Sequence, residues 1–500
     1  MGPHMTTASR EAEGGILVNS VSASTKVIEP ASVGHGMTRW LAVVLAVVVF
    51  AGGLFGYDQG VISGALPGIK AAFSLNLLMV QVVTSWVTLG ALAGSLAGGA
   101  LSDGIGRKRT LLLAGALFTF GAVLQWSASD AAILVVGRFI VGIGVGVAAV
   151  AAPLYAAELA PANLRGRFIS SYQLAITLGI FLAYLVNAQL VGVEQSAGDA
   201  WRTMLGAAAA PGLALVLIAL VAPESSRWLM MMGRRADAEA VSHKVEPDVD
   251  VGAHLDAIES ALRKDREAAP WGEIFHREWR RPLMVAIGLA VFQQITGINA
   301  IIYYANQIFA SAGFATEASR AMVTTWAIGG VNVLATLIAI AFIDYVGRRK
   351  LLLAGLIGMG ASLAVVGVAF RFISPEGQAV AGPTAPGIVT VAALIVFIAS
   401  FAFSLGPVVW TVINEVFPAR VRGRGVALAT AINWGSAYLV SQFFLSLEQA
   451  IGSSATFWLF ALFCAIGWVW VWSVVPETKQ QSLEQIQELW TQKLQQPMRG

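Results

Sequence analysis

Apolar runs of about twenty residues or more, nearly free of charge, follow one another from residue 40 to residue 475, separated by short polar punctuation and by one longer polar stretch. A helix rises about 1.5 Å per residue, so about 20 apolar residues cross the roughly 30 Å hydrocarbon layer of a bilayer. Marking off the runs at charged, proline and glycine positions predicts twelve helical spans. They lie near 40–66, 77–101, 110–128, 131–157, 168–192, 203–222, 283–312, 321–343, 351–370, 388–414, 425–447 and 455–475. A transmembrane barrel would alternate polar and apolar residues over about ten positions, and these runs do not alternate. The fold class predicted is an all-α membrane protein.

Composition agrees with the pattern. The chain is 57% hydrophobic and 12% charged, with a mean hydropathy of +0.71; a soluble protein carries about twice that charge. The net charge of +3 comes from loops, so it does not argue for nucleic acid. A single cysteine, Cys464, excludes an internal disulfide framework. No Cys/His cluster has metal-ligand spacing and no nucleophile–base pair lies within a span. The expectation is therefore no metal, no bound cofactor and no enzyme activity. Residues 1–38 read as a disordered tail, with 1–4 a cleavage scar before Met5.

Twelve spans place both termini on one side. Short loops after even-numbered spans carry Arg107, Lys108, Arg109, Arg165, Arg167, Arg348, Arg349, Lys350, Arg420, Arg422 and Arg424. The opposite short loops carry Lys70, Arg202, Arg320 and Arg371. Excess Lys and Arg marks the cytoplasmic face, which predicts cytoplasmic termini. The spans divide into halves, 39–222 and 283–475, around a polar stretch, 223–282, whose charge pattern predicts short cytoplasmic helices at Arg235–Val245 and Ala253–Glu267. A cytoplasmic tail, 476–500, follows.

The halves repeat. Asp103-Gly104-Ile105-Gly106-Arg107-Lys108-Arg109 after span two matches Asp344-Tyr345-Val346-Gly347-Arg348-Arg349-Lys350 after span eight. Glu158 precedes Arg165-Gly166 as Glu415 precedes Arg422-Gly423, and Pro223-Glu224 after span six matches Pro476-Glu477 after span twelve. Three motifs in the same order indicate duplication, and parallel halves with a site between them near the midplane form a transporter architecture. Carboxylates at these span ends facing Arg clusters can latch the cytoplasmic halves together when the inner side closes. Partly exposed pairs are weak enough to break reversibly. The candidate latch comprises Asp103, Arg107, Glu158, Arg165, Asp344, Arg348, Glu415 and Arg422. Spacing leaves Glu158 to pair with Arg107 or Arg165, and Glu415 with Arg348 or Arg422.

These motifs resemble those of the major facilitator superfamily and, within it, the sugar porter family. Further matches are Gly137-Arg138-Phe139, Gln293-Gln294-Ile295-Thr296-Gly297-Ile298-Asn299 with Tyr303-Tyr304, and Gly406-Pro407 with Trp410. The resemblance runs from about residue 40 to 490. It implies a six-plus-six fold with intracellular helices and transport of a monosaccharide or polyol. It also implies that Asp58, in Gly56-Tyr57-Asp58, stands where proton-coupled members carry Asp, and that Tyr303 and Tyr304 form an extracellular gate.

Buried polar groups give an independent reading. Ionisable side chains inside a bilayer are functional hypotheses by default, and Asp58 and Arg138 are the clear cases. Counting along spans one and four puts them roughly 18 Å and 12 Å below the outer edge, close enough in depth to pair. A carboxylate that alternates between desolvation and an Arg partner can take up and release a proton. Gln173, Gln293, Asn332 and Asn433 lie roughly 9 to 18 Å from a membrane edge, with Gln294 and Asn299 beside them. Amides donate and accept, as sugar hydroxyls do, and a Trp410 face can stack on a pyranose. Gln293, Gln294 and Asn299 cannot share one face of an ideal helix, so span seven is expected to be irregular near Gly297. Gly142, Gly144 and Gly146 fit close helix packing, and Trp434 reads as packing. The lead reading is a monomeric importer of a hexose-like sugar by proton symport in the plasma membrane. The alternatives are a facilitative uniporter with a structural Asp58 and a non-transporting sugar sensor.

Overall fold

The computed structural model describes residues 37–161, 164–193, 199–247, 250–266, 271–373, 384–417 and 419–479. Most of the expected tails, residues 1–36 and 480–500, lie outside the described residues, as do the side chains of Asp344 and Arg420. The described chain is helical, with no strand among its residues. The first half contains α1 (Arg39–Ala72), α2 (Leu77–Ile105), α3 (Arg107–Trp126), α4 (Ala131–Leu159), α5 (Arg165–Val193), α6 (Ala200–Gly206) and α7 (Ala209–Val221). The linker forms α8 (Ser226–Met231), α9 (Arg235–Val245) and α10 (Val251–Arg266). The second half contains α11 (Arg280–Ile295), α12 (Ile298–Tyr303), α13 (Ala305–Ser311), α14 (Glu317–Val323), α15 (Val331–Val346), α16 (Arg348–Ala369), α17 (Ala385–Phe403), α18 (Leu405–Glu415), α19 (Ala419–Ile451) and α20 (Ser453–Val474).

Eleven stretches of described helix are long and apolar enough to cross a membrane. The one predicted span outside these eleven is span eleven, α19, 33 residues long. Its hydropathy is lowered by Asn433, Ser441 and Gln442, all buried inside the bundle rather than set against lipid. The spans are not all single helices. Span six is α6 and α7. Span seven is α11, α12 and α13. Span eight joins α14 to α15 through a π-helical stretch, Thr324–Gly330. Span ten is α17 and α18, interrupted at Ser404.

Helix starts follow from side-chain oxygens that reach back to free backbone N–H groups. Thr38, Asn76 and Asp130 accept from Leu41, Met79 and Ile133 at the starts of α1, α2 and α4. Within the first half, α1 packs on α5 and α2 on α4 through glycines. A Cβ at Gly56 would collide with the Ile176 carbonyl, and one at Gly142 or Gly146 with the carbonyls of Val87 or Ala91. Close backbone approach supplies packing where lipid offers no hydrophobic drive between helices.

The linker helices bury Trp228, Leu229, Ala238, Val251 and Leu255 together, and Arg235 of α9 bonds Asp256 of α10 at 2.6 Å. Thr38, capping α1, donates from its hydroxyl to the Val245 carbonyl of α9. The start of the first span and the linker therefore share one end of the bundle, the linker end. The opposite end is the far end.

Candidate functional site

Span seven breaks where the amide positions require it. α11 ends at Ile295 and α12 restarts at Ile298, with Gly297 between them at φ +95°. That left-handed backbone favours glycine, and a Cβ there would also press on the Phe460 ring. The break turns Asn299 back beside Gln294, whose Oε1 accepts from Asn299 Nδ2 at 2.7 Å. Gln294 Nε2 donates to Asn433 Oδ1 of α19 at 3.2 Å. Asn433 Nδ2 donates to Gln293 Oε1 at 2.7 Å and to the Ala290 carbonyl at 3.1 Å. Gln293 Nε2 donates to the Leu405 carbonyl at 2.7 Å, beside the break in span ten. A fifth amide, Gln59 of α1, donates from Nε2 to Asn299 Oδ1 at 3.3 Å.

The chain of amides has a fixed sense. Backbone carbonyls only accept, so the nitrogens of Asn433 and Gln293 must face Ala290 and Leu405. Each remaining amide is then oriented in turn, and every link runs from nitrogen to oxygen, from Gln59 toward Leu405. Hydrogen bonds running in one sense polarise one another. All five side chains are buried.

Next to Gln59 is the charge pair. Arg138 Nη1 lies 3.1 Å from Asp58 Oδ1, and Arg138 is fully buried. The guanidinium also donates from Nε to the Val83 carbonyl at 2.9 Å and from Nη2 to the Thr84 carbonyl at 3.4 Å. It thus ties α4 to α1 and α2. Breaking a buried pair by removing one partner costs about 3–5 kcal/mol, so the two charges hold each other in place.

Among the described residues, the hydrogen bonds joining the halves lie from mid-bundle to the far end. Besides Gln59–Asn299, Gln81 Nε2 donates to Ser446 Oγ at 2.8 Å and Ser85 Oγ to Gln442 Oε1 at 2.5 Å. The Tyr184 hydroxyl donates to the Ile302 carbonyl, and the Asn306 N–H to Ser63 Oγ. Tyr303 and Tyr304 are both buried but divide their contacts. The Tyr303 phenol faces Gln59 and Asp58 of the other half. Tyr304 donates to the Ser441 carbonyl at 2.9 Å and stacks on Phe444 within its own half, and its phenol also faces Thr84 of the other half. One turn from Asp58 toward the linker end, Phe55 meets Trp434 with ring centroids 5.2 Å apart, an apolar contact between α1 and α19 beside Asn433.

At the linker end the repeated motifs build the same device twice. Gly106 (φ +96°) and Gly347 (φ +99°) precede α3 and α16. A Cβ on either would collide with the carboxylate of Glu224 or Glu477. Those carboxylates cap the helices: Glu224 Oε1 accepts from the N–H groups of Arg107 and Lys108 at 3.0 and 3.1 Å. Glu477 accepts from Arg348 and Arg349 at 2.9 and 3.2 Å. Negative charge is favoured at a helix N-terminus. Burial nevertheless pushes the Glu224 carboxyl above its ordinary range, against the pull of its N–H donors and Arg107.

The choice of Arg partner resolves in favour of Arg107 and Arg348. Arg107 Nε lies 2.8 Å from Glu158 Oε2 and Nη2 3.2 Å from Asp103 Oδ1. Arg348 Nη2 lies 3.3 Å from Glu415 Oε1. Arg165 is exposed, and Arg422 Nε turns to the Phe417 carbonyl. The expectation of partly exposed pairs needs correcting for the first half, where both side chains are almost fully buried (5% and 6% exposed), against 13% and 27% in the second. Both pairs also lie within a half in this conformation, not across the two halves as a latch would require.

Of the predicted pocket residues, the structure brings together Gln293, Gln294, Asn299 and Asn433. Gln173 is half-buried on α5, Asn332 is buried at the start of α15 and Trp410 half-buried on α18. None of these three enters the described amide chain. Gln59, Phe55 and the bridging role of Trp434 were missed. A polar residue directly after a buried acid was the available signal for Gln59.

The chain matches the family described as Sugar (and other) transporter over residues 44–490. It is 40% identical over 438 residues to the putative metabolite transport protein YwtG of Bacillus subtilis (strain 168), covering 87% of this chain and 92% of that one. It is 37% identical over 434 residues to a D-xylose transporter of Levilactobacillus brevis, with the same coverages. With the arabinose-proton symporter of Bacillus subtilis (strain 168) it shares 34% over 464 residues, 92% and 97% of the two chains. The partially occluded inward-open structure of the xylose transporter XylE from E. coli superposes with a TM-score of 0.77 at 28% identity, over 89% of this chain and 99% of that one. The chain belongs to the sugar porter family of the major facilitator superfamily, as a multi-pass membrane transporter and not an enzyme.

Proposed function

We propose that the protein imports a monosaccharide or polyol together with a proton, by alternating access of its two six-helix halves, 39–222 and 283–475. The carrying observation is the oriented chain of five buried amides that begins one residue from the Asp58–Arg138 pair. The chain itself is uncharged, which suits a neutral polyhydroxyl ligand; an organic ion would require a fixed countercharge. Relatives named for arabinose–proton symport and for xylose transport support the reading. The linker helices 223–282, the tail 476–500 and both termini face the cytoplasm in this account, by the excess of Lys and Arg at that end. The carrier works as a monomer in the plasma membrane, with the proton as its coupling ion and no cofactor.

The geometry supports a definite route for coupling. A proton on Asp58 neutralises the carboxylate and leaves Arg138 with the Val83 and Thr84 carbonyls. Both carbonyls belong to α2, whose Gln81 and Ser85 close the far end on Ser446 and Gln442. Asp58 itself sits on α1, whose Gln59 and Ser63 bond Asn299 and Asn306. Protonation thus loosens α1, one of the two helices that carry the far-end closure, while Arg138 keeps α2 on α4. An anionic Asp58 pulls α1 back onto α4. Alternation between these states couples proton binding to opening.

A second reading, a uniporter, is favoured by the same anchoring: Arg138 held by three groups could be a permanent strut. Proteoliposomes of the purified protein separate the two. Uptake of D-xylose, D-glucose and myo-inositol is followed with an imposed inward proton gradient and with the gradient collapsed. Symport predicts accumulation only with the gradient. Equilibration to the same internal level in both cases selects the uniporter, and no uptake of any of the three refutes sugar transport.

A further inference from the structure

Four of the five amides, Gln293, Gln294, Asn299 and Asn433, belong to the second half. The fifth, Gln59, is the first half's member. Its bond to Asn299 is 3.3 Å long, against 2.7 Å for Asn299–Gln294 and for Asn433–Gln293. It is also the link that must break when the halves part, because every other link lies within the second half. Gln59 is buried between the Tyr303 phenol and Asn299. Its place beside Asp58 sets it between the proton site and the rest of the chain.

We propose that Gln59 is a specificity-determining residue: one substrate hydroxyl inserts between Gln59 Nε2 and Asn299 Oδ1 and bridges the halves. The proposal rests on the reading of the amide chain as the sugar site. A hydroxyl carries one donor and two acceptor lone pairs. It can accept from Gln59 and donate to Asn299, so the sense of the whole chain survives its insertion. An ammonium has no acceptor for Gln59 and a carboxylate no donor for Asn299, so either would leave a buried amide group unpaired. The pair therefore selects a neutral polyol. It also singles out one hydroxyl of that polyol as the contact made by both halves. The other hydroxyls meet amides of the second half, which move together.

The test is a deoxy-sugar profile. Equilibrium binding of D-glucose, D-xylose, myo-inositol and the monodeoxy derivatives of each is measured on the purified full-length protein, as wild type, Gln59→Leu and Gln59→Asn. In wild type, removal of the bridging hydroxyl weakens binding by roughly a hundredfold, about tenfold for each of its two buried hydrogen bonds. In Gln59→Leu that one penalty shrinks by roughly tenfold, the share of the Gln59 bond, and leaves the share of the Asn299 bond, while the penalties at other hydroxyls stay at their wild-type ratios. Gln59→Asn retains the amide on a shorter stem and changes the ranking of the deoxy derivatives. An unchanged profile in Gln59→Leu overturns the proposal while leaving the sugar site intact. Should Gln59→Leu fail to fold, an unchanged ranking in Gln59→Asn overturns it equally. A wild-type protein that binds none of these compounds refutes instead the reading of the amide chain on which the proposal rests.

Discussion

Asn433 is the busiest amide of the chain, and replacing it with alanine removes three bonds at once. Gln293 Oε1 and the Ala290 carbonyl lose a donor and Gln294 Nε2 an acceptor, which leaves Gln294 Nε2 and Gln293 Oε1 with their long mutual bond of 3.4 Å. Orphaning a buried polar group costs about 1–3 kcal/mol. Water admitted to the vacated space recovers part of that, so the empty carrier should lose about 3 kcal/mol, the low end of the sum. Sugar binding loses a donor and an acceptor but also no longer has to displace them. The expected weakening is about 1–2 kcal/mol, roughly 5- to 30-fold. Asn433→Asp sharpens the test. It conserves shape but turns an acceptor toward Gln293 Oε1 and the Ala290 carbonyl, against the sense of the chain, and should stabilise no better than Asn433→Ala. The assay is thermal unfolding of the purified protein without sugar, beside equilibrium sugar binding. Unchanged thermal stability in the empty protein would show that these amides are not bonded to one another before sugar arrives. Wild-type affinity with lowered stability would make the chain a strut rather than a site.

The two charge pairs at the linker end should respond unequally. Glu158→Gln leaves the buried Arg107 with only the exposed carboxylate of Asp103 and should lower stability by about 3 kcal/mol, the low end for breaking a buried pair; Glu415→Gln, in the more exposed pair, should cost about 1 kcal/mol or less. Equal effects in thermal melts would contradict the difference in burial. Glu415→Gln should also change the labelling of cysteines placed in the linker-end vestibule while sugar affinity holds. Lost affinity with unchanged labelling would place Glu415 in the pocket or the fold. Gly106→Ala should cost about 1–3 kcal/mol from its positive-φ, extended-ψ backbone alone, and more from displacing Glu224; an unchanged melting temperature would refute that role. Burial raises the Glu224 carboxyl above its ordinary range, so the folded state holds this proton better than the unfolded chain does. Its contribution to stability is complete below the ordinary carboxylate pKa and fades as pH rises through the raised folded value. Melts across pH 4 to 8 should show that decline in wild type and a weaker one in Glu224→Gln. Parallel curves would refute it.

Much of the architecture was legible because the bilayer imposes a length scale. Eleven runs stand out by hydropathy, and the repeat of Asp103–Arg109 in Asp344–Lys350 assigns them to halves. Depth counting paired Asp58 with Arg138, because two charges at one depth in lipid have few other partners. The angular misfit of Gln293, Gln294 and Asn299 located the break at Gly297. The interruption at Ser404 has a local cause in Pro407, whose nitrogen cannot donate to the Phe403 carbonyl four residues back. Other features left no such mark, among them the π-helical stretch at Thr324–Gly330. Arg107 and Arg165 read alike as loop cations, and only the fold turns one inward to Glu158. Gln59 carries only a weak local signal, a polar residue directly after a buried acid, because its partner Asn299 lies 240 residues away. Trp434 reads as packing until Phe55 is found against it.

Coupling between proton and sugar is the central claim, and Asp58→Asn tests it most directly. The substitution keeps the shape of the side chain and abolishes its titration. An inside-negative potential of 100 mV supplies about 2.3 kcal/mol per proton moved, enough for roughly forty- to fiftyfold accumulation. In proteoliposomes under such a gradient, the account predicts accumulation by wild type, none by Asp58→Asn, and measurable counterflow exchange by both. Accumulation of sugar against its gradient by Asp58→Asn would contradict it.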